Sequence, residues 1–465
     1  MSGPDGRRSP RVLVVATDPL TDRMPGPAIR AWHLAEVLAR HHDVVLAGTA
    51  GVTRRHPAME VVAADPASRP GLLSSAAVVV APAGVLHEWP EVAACPAPVV
   101  VDLYDPYHLE NLESPAGHGP EATQEARDRR VAGMSRAIDL HLRRGDFFLC
   151  ASERQRDFWL GSLASAGRVN PYTYDAAPGM EDLIAVVPFG LPPSPPQRHG
   201  PGLRSRLPGI GPEDPVVLWA GGVYNWFDPL SLLQAVDRLR QRLPDLRLVF
   251  LGMGHPNPAI PAMRVAAEAR QLSDELGLTG QHVHFNEGWV PYEQRSDFLL
   301  DADVGVSTHL DHIEARYSFR TRILDYLWAG LPMVLTEGDV LADLMAAEGL
   351  GTKVAPGDVG AIEAALSSTL VASRPSRDRF AEVAARYSWD RVAAPLVAFC
   401  ADPHLAPDRL ATQAGGPPPP HGPTELPAPG SAGPGAVFPE PSPWLHDAAL
   451  LAGRLGQGLR RRLTR

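Results

Sequence analysis

The densest run of chemically useful residues is Glu314-Ala315-Arg316-Tyr317-Ser318-Phe319-Arg320-Thr321-Arg322-Ile323-Leu324-Asp325. A helix beginning near Phe319 or Arg320 puts Arg322 and Asp325 on one face, three residues apart. An arginine at a helix start supplies forked donors to phosphate oxygens, and a carboxylate one turn later accepts hydrogen bonds from two ribose hydroxyls. The pair therefore suits a diphosphate joined to a ribose. The competing reading of the same spacing is a surface salt bridge.

Glycine-bearing turns add to this. Met24-Pro25-Gly26-Pro27-Ala28-Ile29-Arg30 joins a strand to an amphipathic helix, with Pro27 suited to a first helical turn and a helix N-terminus able to face an anion. A plain loop-to-helix turn explains that segment equally well. Gly221-Gly222-Val223-Tyr224-Asn225 and Gly252-Met253-Gly254 each follow an apolar run, where phosphate oxygens can reach backbone N–H groups. There is no G-x-G-x-x-G here, which weighs against a dinucleotide dehydrogenase.

On the other side, Val99–Asp102 runs into Leu103-Tyr104-Asp105-Pro106-Tyr107-His108-Leu109-Glu110. Asp105, or the imidazole of His108, could orient or deprotonate a hydroxyl. His108 reads equally as an ordinary loop histidine, since the chain has 17 of them. Asp301-Ala302-Asp303 has the D-x-D form of a metal site, but its place before a strand fits a helix end and turn better.

These residues need a frame. Apolar runs of strand length alternate with helical-period segments, the pattern of a parallel sheet with crossover helices. A first set comprises Val12–Ala16, Val44–Ala47, Val78–Ala81, Val99–Asp102, Phe147–Ala151 and Ile184–Val187. A second follows the Pro/Gly-rich stretch Pro192–Pro215: Val216–Ala220, Leu248–Leu251, Val283–Phe285, Val304–Ser307, Met333–Thr336 and Lys353–Ala355. Helices at Pro229–Leu243 and Ala361–Leu370 separate strands of the second set. Two doubly wound α/β units in series leave a cleft where their strand C-termini face each other, and ligands bind at such edges.

With 465 residues, two domains are the default expectation. Hydrophobic residues at 45% and charged residues at 21% suit a globular body, and a formal charge of −10 opposes nucleic acid as a partner. Cys95, Cys150 and Cys400 are odd in number and lack metal-ligand spacing, so they read as reduced and buried, as in the cytosol. The N-terminal segment leads straight into the first strand and no apolar run approaches 18 residues, which disfavours secretion and membrane spanning.

The sequence resembles the family-4 glycosyltransferases of the GT-B fold over roughly residues 11–402. The matching pieces, in order, are Gly26-Pro27-Ala28-Ile29-Arg30-Ala31-Trp32, Val187-Pro188-Phe189-Gly190-Leu191, Gly288-Trp289-Val290, Ala302-Asp303-Val304-Gly305-Val306-Ser307, Leu324-Asp325-Tyr326-Leu327-Trp328-Ala329-Gly330-Leu331-Pro332 and Tyr387-Ser388-Trp389-Asp390. The resemblance implies two Rossmann-like domains facing across a cleft: an acceptor domain at 1–191, a linker at 192–214, a donor domain at 215–385 and a helix at 386–403 crossing back to the first domain. It further implies a retaining transfer from a nucleotide-diphosphate sugar, with no cofactor and no required metal. Donor contacts are expected at Gly26, Gly221, Gly222, Asn225, Gly252, Gly254, Val290, Arg320, Arg322 and Asp325. Catalytic candidates are Asp105, His108, Glu314 and Arg320.

Three departures from the family pattern bear on this. Tyr317 stands where the first of two spaced glutamates is usual, so Glu314 is the substitute at hand. The second glutamate is the shorter Asp325. The usual Arg and Lys fall in Val223-Tyr224-Asn225-Trp226, which carries no cation, leaving Arg320 and Arg322 to compensate a diphosphate. An epimerase or phosphorylase of the same fold, and a silent scaffold, stay open.

The folded body is expected to end near Pro403. Between Pro417 and Pro443, 11 of 27 residues are proline, so 404–443 is read as a structureless spacer and the C-terminal tail as disordered. Within 444–465, Trp444, Ala448, Leu451, Leu455 and Leu459 recur at helical spacing beside Arg454, Arg460, Arg461 and Arg462. A basic interfacial helix and a disordered basic tail both fit. The expected location is the cytoplasm, and the helix would add peripheral contact with the inner face of a membrane. The acceptor, whether glycan, lipid-linked or small molecule, is left unidentified.

Overall fold

The computed structural model describes residues 10–113, 123–256 and 262–414. Thirteen strands are assigned: β1 (Arg11–Ala16), β2 (Asp43–Gly48), β3 (Glu60–Ala63), β4 (Val78–Pro82), β5 (Val99–Asp102), β6 (Phe147–Cys150), β7 (Ile184–Val186), β8 (Val216–Gly222), β9 (Arg247–Gly252), β10 (Val283–Phe285), β11 (Val304–Ser307), β12 (Met333–Thr336) and β13 (Gly351–Val354). They form two sheets, a seven-stranded one ordered β3-β2-β1-β4-β5-β6-β7 and a six-stranded one ordered β10-β9-β8-β11-β12-β13. Every pairing between these strands is parallel. The near-continuous Val and Leu of β1, β4, β8 and β9 follow from burial on both faces of such sheets.

In each sheet the order reverses beside the first strand, between β1 and β4 and between β8 and β11. Ligand crevices open at these switch points, beyond the strand C-termini. In the second sheet the Thr321–Ala329 helix closes the switch. The Tyr326 hydroxyl accepts from Ala220 N and shares its single proton between Leu218 O and Val306 O, all at 2.8–2.9 Å, so one side chain ties β8 to β11. Its ring lies so close to Gly305 that a Cβ there would stand 2.4 Å from it, and the absence of a side chain in β11 is what lets the helix pack down.

The chain then returns to the first domain. Leu191 N donates to Tyr387 O and Trp389 N donates to Leu191 O, while the Trp389 ring packs on His33 and Phe189. The Phe399 ring stacks on Phe147 of β6. One continuous apolar cluster accordingly includes residues from both sheets and from this returning segment.

Two expectations change here. β3 was not foreseen; it is a four-residue edge strand with a single buried position, Val61. The body does not stop at Pro403 either. A helix spans Pro407–Gln413 inside the expected spacer, anchored by Asp408, which accepts from Arg168 Nε at 2.7 Å, both residues being buried. The Pro417–Pro443 and 444–465 expectations lie outside the described residues. Among the described residues no helix is long and apolar enough to cross a membrane. All three cysteines are free and buried.

Candidate active site at the interdomain cleft

The glycines of the second domain gather at one edge. β8 ends in Gly221 and Gly222, where the β8–β9 register shifts, and β9 ends in Gly252, with Gly254 two residues further on. Gly221 has φ +89°, a conformation that excludes ordinary side chains and turns the chain into the Val223–Asp228 loop. A Cβ on Gly252 would meet Gly221 backbone and the Trp289 ring. Val290, next to Trp289, is half-buried against the core. Asn225 is engaged in the scaffold, its Oδ1 accepting from Val265 N at the start of the Arg264–Glu275 helix.

Arg322 reaches this edge from the first turn of the Thr321–Ala329 helix. Its Nη2 donates to Gly222 O at 2.6 Å, and its guanidinium lies over the Phe227 and Trp219 rings at 4.1 and 4.6 Å. Burial lowers its pKa to about 10, so it stays charged at neutral pH. Nη1 is buried with no partner, and Arg322 has no carboxylate partner among the described residues. Arg320, the N-cap residue of the same helix, also lies over Phe227, at 4.5 Å. Phe227 thus supports two guanidinium groups, directly after the loop that lacks a cation of its own.

Arg320 differs in being neutralised. Its Nη2 donates to Glu314 Oε2 at 2.6 Å, and its Nε stands 3.8 Å from Asp339 Oδ2. Burial raises the Asp339 pKa to about 6 against the pull of Arg320. Glu314 is fully buried with Oε1 unpartnered, whereas Tyr317, one turn on, puts its ring against Phe158 of the first domain. Asp325 accepts from Arg295 Nε at 3.1 Å and keeps a partly exposed side chain, with a pKa raised by burial. The pairing with Arg295 was not foreseen: its partner lies 30 residues upstream.

From the first domain, Asp105 lines a cavity of about 210 Å³ together with Thr17, Asp18, Asp102 and Tyr107, at the ends of β1, β4 and β5. Asp102 itself is held bidentately by Arg30 at 2.6 and 2.9 Å. Gly26 opens the Gly26–Leu38 helix, and a Cβ there would stand 3.9 Å from the Tyr104 hydroxyl, an ordinary contact. Burial and the Glu314 charge push the Asp105 pKa up to about 7. His108 goes elsewhere. Its ring stacks on Phe158 and tilts against Trp159, and burial lowers its pKa to about 4, leaving it neutral. Asp105, Glu314, Arg320 and Asp339 are therefore brought together, and His108 is not among them. Glu110, in the Tyr107–Glu113 helix, was not singled out; burial and then the Asp105 charge hold its carboxyl well above the ordinary range.

Asp301 and Asp303 precede β11 and so sit at the strand N-termini, away from the ligand edge. Asp301 pairs with Arg198, and Asp303 accepts from Val216 N and pairs with Arg204 and Arg374. Their charges are spent on joining the linker to the sheet.

A family model described as "Glycosyl transferases group 1" matches residues 214–371. No curated protein matches the chain in sequence. Among solved structures, a sucrose-phosphate synthase from Thermosynechococcus elongatus superposes with TM-score 0.57 at 16% identity, covering 84% of this chain and 97% of that one. A trehalose-6-phosphate structure from E. coli bound with UDP-2-fluoro glucose gives TM-score 0.56 at 13% identity, covering 85% and 100%. Anabaena HepE in complex with UDP-glucose gives TM-score 0.53 at 14% identity, covering 87% and 99%. At such identities the likeness is one of fold. Residues 214–371 are thus a group 1 glycosyltransferase domain, set within a chain that has the GT-B fold.

Proposed function

We propose that the protein transfers a sugar from a nucleotide-diphosphate sugar to an acceptor hydroxyl, with retention of anomeric configuration and without a metal. The observation that carries this reading is Arg322. A buried guanidinium with a free Nη1, beside two glycines at the sheet's ligand edge, is what a diphosphate would complete. The N-terminus of the Thr321–Ala329 helix adds its dipole to the same place. Asp325 would take the ribose hydroxyls, and Trp289 with His255 would offer ring faces near the base. The UDP-sugars bound by the E. coli and Anabaena proteins support a nucleotide-sugar donor.

In the reaction the acceptor oxygen bonds to the anomeric carbon, and the bond from that carbon to the phosphate oxygen breaks, its electron pair leaving with the diphosphate. The acceptor proton passes to Asp105. Arg322, with the helix N-terminus, stabilises the departing charge by fixed, preorganised donors. Glu314 and Arg320 would meet the sugar.

A thermal-shift screen of nucleotide sugars, followed by turnover in EDTA with the donor that stabilises most, tests the reading. No stabilisation by any nucleoside diphosphate would reject it. Turnover abolished by EDTA and restored by magnesium or manganese would reject the metal-free part alone.

A further inference from the structure

The Glu153–Ser165 helix of the first domain follows β6, and Ser152 caps it by accepting from Gln155 N at 3.2 Å. Gln155 is fully buried in the first turn of that helix, and its amide is used three ways. Oε1 accepts from Ala151 N at 2.7 Å, and Nε2 donates to Tyr104 O at 2.9 Å and to Tyr317 O at 2.8 Å. One partner is a donor and two are acceptors, so the amide fits in one orientation only and has no hydrogen left over. Tyr104 belongs to the loop that carries Asp105, and Tyr317 ends the Ile313–Tyr317 helix that carries Glu314. A single side chain therefore joins the backbones of the two segments that face each other across the cleft.

The next turn repeats the arrangement. Phe158, three residues on and on the same face, stacks on His108 at 5.8 Å and lies against the Tyr317 ring at 4.7 Å. Trp159 Nε1 donates to Leu103 O at 3.0 Å, so the carbonyls of Leu103 and Tyr104 are both held by this helix. On the other flank Arg154 reaches the second domain, its Nη1 donating to Gly338 O and its Nη2 pairing with Asp343, each at 2.7 Å. Gly338 precedes Asp339, the residue beside Arg320. The Arg154 pair is partly exposed and screened by water, so the weight falls on Gln155, whose loss withdraws a partner from two carbonyls and one N–H at once.

We propose that Gln155 is a positioning residue for the transfer: by bridging Tyr104 O and Tyr317 O it sets the spacing between Asp105 on the acceptor side and Glu314 on the donor side. Two carbonyls have no donor between them, so the segments cannot hold each other there, and the amide placed between them fixes both their distance and their register. The bridge does not touch the diphosphate end of the cleft. Arg322 is held by Gly222 O and Asp325 by Arg295, all within the second domain. Loss of Gln155 should then leave a nucleoside diphosphate bound and spoil the alignment of donor and acceptor, where a misplacement of about 1 Å costs about a hundredfold in rate. What the spacing serves rests on the glycosyl-transfer reading; the bridge between the two domains does not.

Two substitutions test it. Gln155→Met keeps the length and removes all three hydrogen bonds, and Gln155→Glu keeps an acceptor for Ala151 N and can donate to one carbonyl at most, and only when protonated. Hydrogen exchange, read by mass spectrometry, is compared with the native protein. Peptides that span Leu109 N, which donates to Pro106 O, and Ser318 N, which donates to Glu314 O, should exchange faster in both variants, while the β8–β9 edge around Gly221 and Gly252 keeps its native rate. Native exchange in both segments, or equal acceleration along the whole chain, overturns the proposal. With an active donor and acceptor, both variants should lose about ten- to a hundredfold in kcat, with the donor KM within about threefold of native. A native kcat, or a loss confined to KM, overturns it as well. Absence of turnover with all donors in the native protein would sink the transfer reading while the exchange measurement still decides the bridge.

Discussion

Arg320 Nη2 donates to Glu314 Oε2 at 2.6 Å, and both residues are buried where the two domains meet. The short Ile313–Tyr317 helix presents the carboxylate, and the chain turns at Ser318 before Arg320 caps the next helix. The glutamate thus sits three residues ahead of the position the family spacing would give it, with the arginine as its counterion.

Breaking this pair should be costly. Glu314→Ala leaves Arg320 buried with only Asp339 nearby, and a loss of about 3 kcal/mol in unfolding free energy is expected. Glu314→Gln keeps an acceptor and should lose less than half as much. It also removes the charge that most raises Asp105, so the Asp105 midpoint should fall below 7. Urea unfolding and an NMR titration of the Asp105 carboxyl, labelled with 13C at Cγ, check the two parts; an unchanged midpoint in Glu314→Gln would contradict the cross-domain coupling.

Arg322→Ala should weaken nucleoside-diphosphate binding by about 1.5–3 kcal/mol, or roughly ten- to a hundredfold in Kd. Arg322→Lys should recover little, because the native guanidinium uses Nη2 on Gly222 O and leaves Nη1 for ligand. Calorimetry on both variants decides it, and native affinity in Arg322→Ala would remove the diphosphate assignment.

Local pattern made much of this legible. Val-rich runs located β1, β4, β8 and β9, and Pro229 marked a helix start, as the Asp228 cap confirms. The edge strand β3 escaped because Glu60-Val61-Val62-Ala63 has too few apolar positions to stand out. The Pro407–Gln413 helix escaped because its stability comes from a partner 240 residues away. The same reason hides the site's electrostatics. Arg322 and Asp325 could be read as a helix face, but Asp105 against Glu314, or Asp325 against Arg295, arises only when distant segments meet. His108 went the other way, its fate set by Phe158 and Trp159.

Asp325 should discriminate ribose from deoxyribose. A carboxylate steadied by Arg295 Nε at 3.1 Å keeps lone pairs for two hydroxyls, and Asp325→Asn replaces one acceptor oxygen with a donor. The native protein should bind a ribonucleoside diphosphate more tightly than its 2′-deoxy counterpart, and the variant should narrow that ratio. Equal native affinities would remove Asp325 from the ribose.

Stability should respond to Asp105 in a pH-dependent way. Its folded pKa, about 7, lies above the model-peptide value of 3.8. Between those values the native state holds a proton that the unfolded chain has released, so this group's contribution falls as pH rises and is lost above 7. Asp105→Asn carries no such penalty. The melting temperature of the variant relative to native should therefore increase from pH 5 to pH 8. His108 and His309, lowered by burial to about 4 and about 3, act in the opposite direction below pH 6.5, but they are common to both proteins and cancel in the difference.

The last prediction concerns where the chain can be cut. Arg168 donates to both oxygens of Asp408, at 2.7 and 3.1 Å, and its Nη1 caps Leu142 O and Gly145 O. Nearby, Asp146 accepts from Ala406 N and pairs with Arg144 and Arg409. A chain ending at Pro403 loses Ala406, Asp408 and Arg409 at once and leaves Arg168 buried without its carboxylate. Removing one partner of such a buried pair costs about 3–5 kcal/mol. A chain ending at Ala414 keeps every one of these contacts and should match the full-length protein in urea. Equal stability of the two shortened chains would show that the Pro407–Gln413 helix is not part of the folded body. The Ala414 chain is also the correct control for the basic segment 444–465. If that segment binds an anionic surface, with about 1 kcal/mol per arginine near it, the full chain should co-sediment with anionic liposomes at low salt and the Ala414 chain should not. A cut at Pro403 would confuse this measurement with unfolding, because exposed core residues adsorb to lipid on their own account.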